Sequence, residues 1–185
     1  RALRESDGDY EVETYDFPSD LDRFVADPPA AVLLAFHGGA GENGTIQGFF
    51  ETLGVPYTGS GVLASALALD KRRSKALFAQ EGLMTPASAW LAPEEVEQKL
   101  DELDRWLDRH DLETPVVVKP TAGGSSQGVS LCRTDTQVRQ ALEAAADELG
   151  TGPAAGLLVE EYIDGPEFTV GFFDEECLGA LEVVP

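Results

Sequence analysis

An open α/β layer is predicted for the first third of this 185-residue chain, and a mixed α+β arrangement for the remainder. Three observations predict the layer. A continuous apolar run, AAVLLAF (Ala30–Phe36), has the composition of a parallel strand buried on both faces. The glycine-rich turn HGGAGENG follows it directly, and TIQGFFETLG then reads as a helix closed by Gly54. A brief strand, VPY, completes the order strand, turn, helix, strand. In such layers ligands collect at the carboxyl ends of strands, which makes His37 to Gly44 the predicted ligand edge.

From Gly59 the texture changes. GSGVLASALALDKRRSKALFAQEG is helix-prone with a predicted break near Leu69–Asp70, and TPASAWL is extended. Val96, Leu100, Leu103 and Leu107 recur at steps of four, three and four, the mark of one buried helical stripe. Next come a strand (PVVVKP), a polar glycine loop (TAGGSSQG), a second strand (VSLC) and a helix striped by Val138, Leu142 and Leu149. LLVEEYI, EFTVGFF and CLGALEVV are three further strand-like runs in succession. Boundaries near Gly59 and Ala155 divide the chain into residues 1–59, 60–155 and 156–185.

Apolar residues make up 43% and charged residues 25%, enough for a real core. No apolar run approaches the ~20 residues needed to span a bilayer, and the start, RALRESDGDY, has no apolar signal core, so the cytoplasm is the expected compartment. Cys132 and Cys177 are far apart, which argues against a disulfide scaffold or a cysteine zinc site. Acids outnumber bases 34 to 13, for a formal charge of −21. That field disfavours nucleic acid and anionic membrane as partners, and it opposes an anionic substrate unless the few cations are sited to receive it. Surplus acid with only Lys71, Lys75, Lys99 and Lys119 among lysines suits a high-salt source; an ordinary acidic cytosolic protein is the alternative.

Lys119 closes the strand PVVVK ahead of Pro120, which lacks an amide donor and disfavours helical geometry at Lys119. Alone it is a strand-end lysine reaching water. Beside the arch of Gly123, Gly124, Ser125, Ser126 and Gly128 it is well sited to neutralise phosphate, because glycine-loop amides and hydroxyls surround phosphate oxygens. The arch is not a Walker loop, since GxxxxGK[ST] is absent. Lys71, at the predicted helix break, is either a second phosphate contact or a surface lysine of DKRRSK. Glu160 and Glu161 are adjacent in a strand and so face opposite sides; one faces a cleft, or both are solvated. Glu167 after the GP turn could hold a sugar hydroxyl or pair with a cation. His37, with Glu42 five residues on, either orients a substrate or pins its own turn. His110 lies in a charged helix end and gives His37 no metal partner, and Ser60 and Ser65 have no local base, so no serine hydrolase is proposed.

Taken together, HGGAGENGTIQGFFETLGVPYTGSGVLASALALDKRRSK, VVVKPTAGGSSQGVS and LLVEEYIDGPEFTVGFF closely resemble, in order and spacing, segments of the D-alanine–D-alanine ligases, a family of ATP-grasp enzymes. The likeness runs through His37–Val184 and weakly through residues 1–36. It implies an N-terminal α/β domain followed by two ATP-grasp subdomains that sandwich ATP, the last one incomplete here. Lys71 and Lys119 match the two family lysines on the ATP phosphates, and Gly124, Ser125 and Ser126 match the mobile glycine loop that folds over them. Glu160, Glu161, Tyr162 and Ile163 match the hinge that reads adenine, with Glu161 standing where related sequences often carry lysine. Glu167 matches the residue on the ribose hydroxyls, and His37, with Glu42, the histidine near the acceptor D-alanine.

The resemblance implies phosphoryl transfer from ATP to the carboxylate of one D-alanine, then attack by the amine of a second on the acyl phosphate, giving D-alanyl-D-alanine for peptidoglycan. ATP and D-alanine are the implied small-molecule partners and a homodimer the implied assembly. Mg2+ or Mn2+ is implied as well, with ligands expected outside this sequence, so no metal ligand is assigned within it. The chain is expected to be a fragment lacking the glutamate loop of the family's beginning and the lid, arginine and metal ligands of its end, and to be inactive alone. Another ATP-grasp carboxylate–amine ligase, including one making D-Ala–D-Lac or D-Ala–D-Ser, and a non-catalytic nucleotide-binding module are the alternative readings.

Overall fold

The computed structural model describes residues 11–36, 38–124, 126–148 and 155–184. Two compact units divide between Leu69 and Asp70, ten residues beyond the predicted boundary at Gly59.

The first unit is organised around aromatic rings. Helix α1 (Leu21–Ala26) contributes the buried Phe24, and α2 (Thr45–Leu53) contributes Ile46 and the buried Phe50. Phe17, Phe24, Phe49 and Phe50 lie within ring-contact range of one another, with Phe17 and Phe24 edge-on at 5.3 Å, and Tyr57 meets Phe50 at 5.9 Å. Gly54 ends α2 as predicted, in the left-handed conformation (φ 69°) that lets Val55 N–H close back on the Phe50 carbonyl at 3.0 Å. Gly44, also left-handed, begins it; a side chain there would meet the Val62 carbonyl oxygen at 2.6 Å. The third helix, α3 (Val62–Leu69), completes the unit.

The predicted strand Ala30–Phe36 needs correction. Among the described residues it is reduced to one parallel bridge, Val32 to Tyr57, with Val32 N–H donating to the Pro56 carbonyl and Thr58 N–H to the Val32 carbonyl. Burial on both faces requires a layer packed over each; among the described residues this segment pairs at a single position and Leu33 stays 64% exposed.

The second unit begins with α4 (Lys71–Gln80), so the break predicted near Leu69–Asp70 is present, with Asp70 capping the new helix. Strands β1 (Ser88–Leu91), β2 (Val116–Pro120), β3 (Ser130–Cys132) and β4 (Leu157–Glu161) form an antiparallel sheet in the order β1-β4-β2-β3. Side chains alternate across it. Ala89, Leu91, Val116, Val118, Cys132, Leu157 and Val159 pack on helices α5 (Val96–Leu100), α6 (Leu103–Arg109) and α7 (Asp135–Glu148) through Val96, Leu103, Trp106, Leu107, Val138 and Leu142. Trp90, Val117, Lys119, Leu158 and Glu160 occupy the opposite face by register.

Two further expectations change. The stripe from Val96 to Leu107 faces the core, with Leu100 partly buried, but it lies on two helices, not one. The chain leaves the helix at Asp101–Glu102, where Glu102 accepts from Lys99 at 3.0 Å and Arg139 donates to the freed Leu100 carbonyl. Because the turn keeps the four-three-four spacing in phase, both pieces still face the core. The run LLVEEYI, grouped by sequence order with the two runs after it, pairs instead between β1 and β2. Those later runs, β5 (Glu167–Phe173) and β6 (Glu176–Val183), form a two-stranded hairpin with a bulge at Gly171/Phe172, exposed along its whole length.

Candidate functional site

The site is assembled on the outer face of the four-stranded sheet by the first two turns of α4. Asp70 caps the helix through a carboxylate oxygen that accepts from Arg73 N–H at 3.0 Å, and it also pairs with the Arg73 guanidinium. This cap fixes Lys71 at the first helical position. Its backbone N–H donates to the Thr121 carbonyl and its Nζ to the Gly123 carbonyl, both at 2.9 Å. Lys71 is thus fastened to the loop that follows β2, 52 residues away in sequence. Burial, then the repulsion of Lys119, pull the Lys71 ammonium below its ordinary range; Glu160 and Asp70 act in the other direction.

One turn further along α4, Lys75 donates to the Pro86 carbonyl at 2.7 Å and lies 2.8 Å from Glu160 Oε1. The other oxygen of that carboxylate, Oε2, holds the Lys119 ammonium. The Glu160 side chain is only 7% exposed, and two cations compensate the charge that burial would otherwise disfavour. Arg72 stacks on the Trp90 ring at 3.7 Å on the same face.

The glycine loop springs from fixed feet. Thr121 N–H and Oγ1 both donate to the Gly156 carbonyl at 2.9 Å, tying the end of β2 to the start of β4. Gly156 (φ 152°) is pressed against Trp90 and the Leu91 carbonyl, leaving no room for a side chain. At the far foot Gly128 abuts Pro120, whose Cγ would stand 2.9 Å from an added Cβ. Between them Gly124 accepts from Gln127 N–H at 3.2 Å and Ser126 adopts a left-handed turn at φ 55°.

The sequence-predicted residues therefore divide. Lys71, Lys119, Glu160 and the loop with Gly124 and Ser126 come together in one unit. Glu160 and Glu161 point to opposite faces, as alternation requires: Glu161 is exposed, and its Oε2 accepts from Ala87 N–H at 3.3 Å. Tyr162 donates its N–H to the Pro115 carbonyl, Ile163 is exposed, and Glu167 is exposed on β5 opposite Val183. In the first unit Glu42 is half-buried and ends the short turn Gly39–Gly41, its N–H on the Gly39 carbonyl at 3.2 Å. His37 and Ser125 lie outside the described residues. Lys75 is the addition that sequence reasoning missed. Its signal was available in DKRRSK, where Lys71 and Lys75 stand four apart on one helix face. Among the described residues no group of three His, Cys, Asp or Glu could hold a metal ion, and no helix is long and apolar enough to cross a membrane.

Half-buried lysines meet a glycine arch beside a buried carboxylate on the outer face of an antiparallel sheet, the arrangement that the resemblance to α/β ATP-grasp enzymes implies. Comparison with known proteins names the family. The profile described as "D-ala D-ala ligase C-terminus" matches residues 77–185, and that described as "D-ala D-ala ligase N-terminus" matches residues 4–60. The chain belongs to the D-alanine–D-alanine ligase family. It is 44% identical over 177 residues to the D-alanine–D-alanine ligase of Gloeobacter violaceus, covering 95% of this chain and 55% of that one. Among solved structures, the Bacillus anthracis D-alanine–D-alanine ligase superposes with a TM-score of 0.75 at 34% identity, over 91% of this chain and 51% of the other. The same enzyme complexed with ATP gives 0.73 at 34% identity, over 90% and 52%. The chain thus spans about half the length of the curated relatives it matches.

Proposed function

We propose that the protein carrying this chain joins two D-alanines at the expense of ATP, through a D-alanyl phosphate, and so supplies D-alanyl-D-alanine for peptidoglycan. One observation carries the reading: Lys71 and Lys119 lie close enough to repel each other, both half-buried beside a glycine loop, in a chain whose net charge is −21. Lys71, Lys75 and Lys119 share the single buried carboxylate of Glu160, so positive charge is left over for an anion, and a triphosphate answers that need. A phosphoryl group in flight spreads negative charge over its oxygens, which fixed ammonium groups and loop amides stabilise.

In this reading Lys71 and Lys119 hold the phosphates, and Gly124, Ser125 and Ser126 cover them. Glu160 accepts from the adenine amino group, the backbone of Glu161, Tyr162 and Ile163 lines the base, and Glu167 takes the ribose hydroxyls. His37 and Glu42 orient the acceptor D-alanine. Bound Mg2+ or Mn2+ would neutralise the triphosphate; the described residues offer no ligand cluster for it. The division into an N-terminal α/β part (1–59), a central ATP-grasp part (60–155) and the start of a C-terminal part (156–185) belongs to the same proposal, with β4 reassigned to the central sheet. So do a cytoplasmic setting and a homodimer.

The test is ADP release by the full-length gene product. Turnover is expected only when D-alanine is present, and D-lactate or D-serine as the second substrate should not replace it. ATP consumption indifferent to D-alanine would reject the assignment.

A further inference from the structure

The Glu160 carboxylate is shared by two lysines that are not equivalent. Lys75 has a second acceptor, the Pro86 carbonyl at 2.7 Å, and its side chain is 15% exposed. Lys119 reaches the other oxygen from the strand beside it and is more open, at 23%. Lys75 also sits within a helix and is held between β4 and the segment before β1, whereas Lys119 is next to the loop at the end of β2. Among the contacts described, Lys75 is thus held by two acceptors and Lys119 by one.

We infer that Glu160 is an exchange point at which Lys75 permanently holds one carboxylate oxygen, while Lys119 occupies the other only until a purine amino group replaces it and frees Lys119 for phosphate. The inference rests on the proposed nucleotide site and adds to it a positioning residue, Lys75, and a coupling between base and phosphate. A buried carboxylate needs compensation. As Lys119 departs, an N–H donor from the base takes its place and Lys75 retains the charge. A 6-oxo purine turns an oxygen toward the carboxylate instead, so Lys119 stays behind and the phosphates lose a cation. Selectivity for adenine is then expressed partly at the phosphate end. Lys75 makes this possible: without it, Glu160 has Lys119 as its one remaining ammonium among the contacts described and holds it more firmly.

The experiment is a double-mutant cycle in the full-length gene product, with ATP, ITP and inorganic tripolyphosphate as probes in calorimetric titrations. The unsubstituted protein should prefer ATP to ITP by at least about tenfold. Glu160→Gln should raise tripolyphosphate affinity, by about threefold or more, and reduce the ATP preference below about threefold. Lys75→Met should lower tripolyphosphate affinity about tenfold, Lys75→Arg should restore most of it, and in the Glu160→Gln background Lys75→Met should change it less than about twofold. A gain of affinity in Glu160→Gln cannot come from misfolding. Additive effects of the two substitutions, or a tripolyphosphate affinity that Glu160→Gln leaves unchanged or lowers, overturn the exchange while leaving the nucleotide site standing. Absence of ATP binding by the unsubstituted protein overturns both.

Discussion

The four-stranded sheet and the β5–β6 hairpin are built from similar sequence and end in opposite states. VVVKP in β2 is rich in β-branched residues and EFTVGFF in β5 in aromatic and β-branched ones, both strand-favouring, and both are strands. In β2, Val116 and Val118 are fully buried under α5, α6 and α7; in β5 every residue is exposed, Phe172 at 65%. Strand propensity selects the backbone conformation, and what packs on the face decides whether the strand bears load. The candidate site sits on the packed sheet, where lysines and carboxylate can be held in register; the hairpin carries only Glu167.

That contrast can be broken or sharpened in stages. Leu142, fully buried between α7 and the sheet, should cost about 3 kcal/mol as Leu142→Ala in denaturant unfolding of this chain, whereas Phe172→Ser should change it by less than about 0.5 kcal/mol; equal effects would erase the distinction. Gly156→Ala comes next, at about 2 kcal/mol, because it combines a left-handed backbone with a clash against Trp90 and the Leu91 carbonyl. Its melting temperature should fall while that of Gly165→Ala, at a position open on all sides, falls less.

A smaller effect is expected from pH. Lys71 titrates below the ordinary lysine range, and a bound phosphate favours its charged form, so above the lowered value nucleotide binding takes up a proton. Affinity for ATP should therefore decline as pH rises from there toward the usual lysine value. Lys71→Arg, charged throughout, should flatten that decline, and a profile identical in both proteins would detach Lys71 from the phosphates. Smallest of all is the exchange difference: β2 and β4 amides should outlast those of β5 and β6 in deuterium exchange.

Much of this was legible in the sequence where the signal is local. Asp70 caps a helix through its own neighbours, so the break after Leu69 could be read directly. Glu160 and Glu161 part to opposite faces because strand periodicity is two. Lys119 beside Pro120 and the glycine run announced itself by adjacency. What could not be read depended on distant partners. AAVLLAF records a tendency to be buried but not whether a neighbour exists on each edge. The break at Asp101–Glu102 is invisible to spacing because the turn preserves the phase of the stripe. Sequence order does not give strand order, so β4 was grouped with its successors instead of with β1 and β2. Lys75 became part of the site only through Pro86 and Glu160, 11 and 85 residues away.

The feet of the glycine arch have a consequence for how this loop can change. Pro120 and Gly128 touch, and Thr121 is bolted to Gly156, so the opening between β2 and β3 is set below the crown of the loop. Its height is then independent of its footing: residues inserted between Gly123 and Gln127 would lengthen the reach over a bound molecule without prying the strands apart, whereas one added at either foot would unseat the sheet itself.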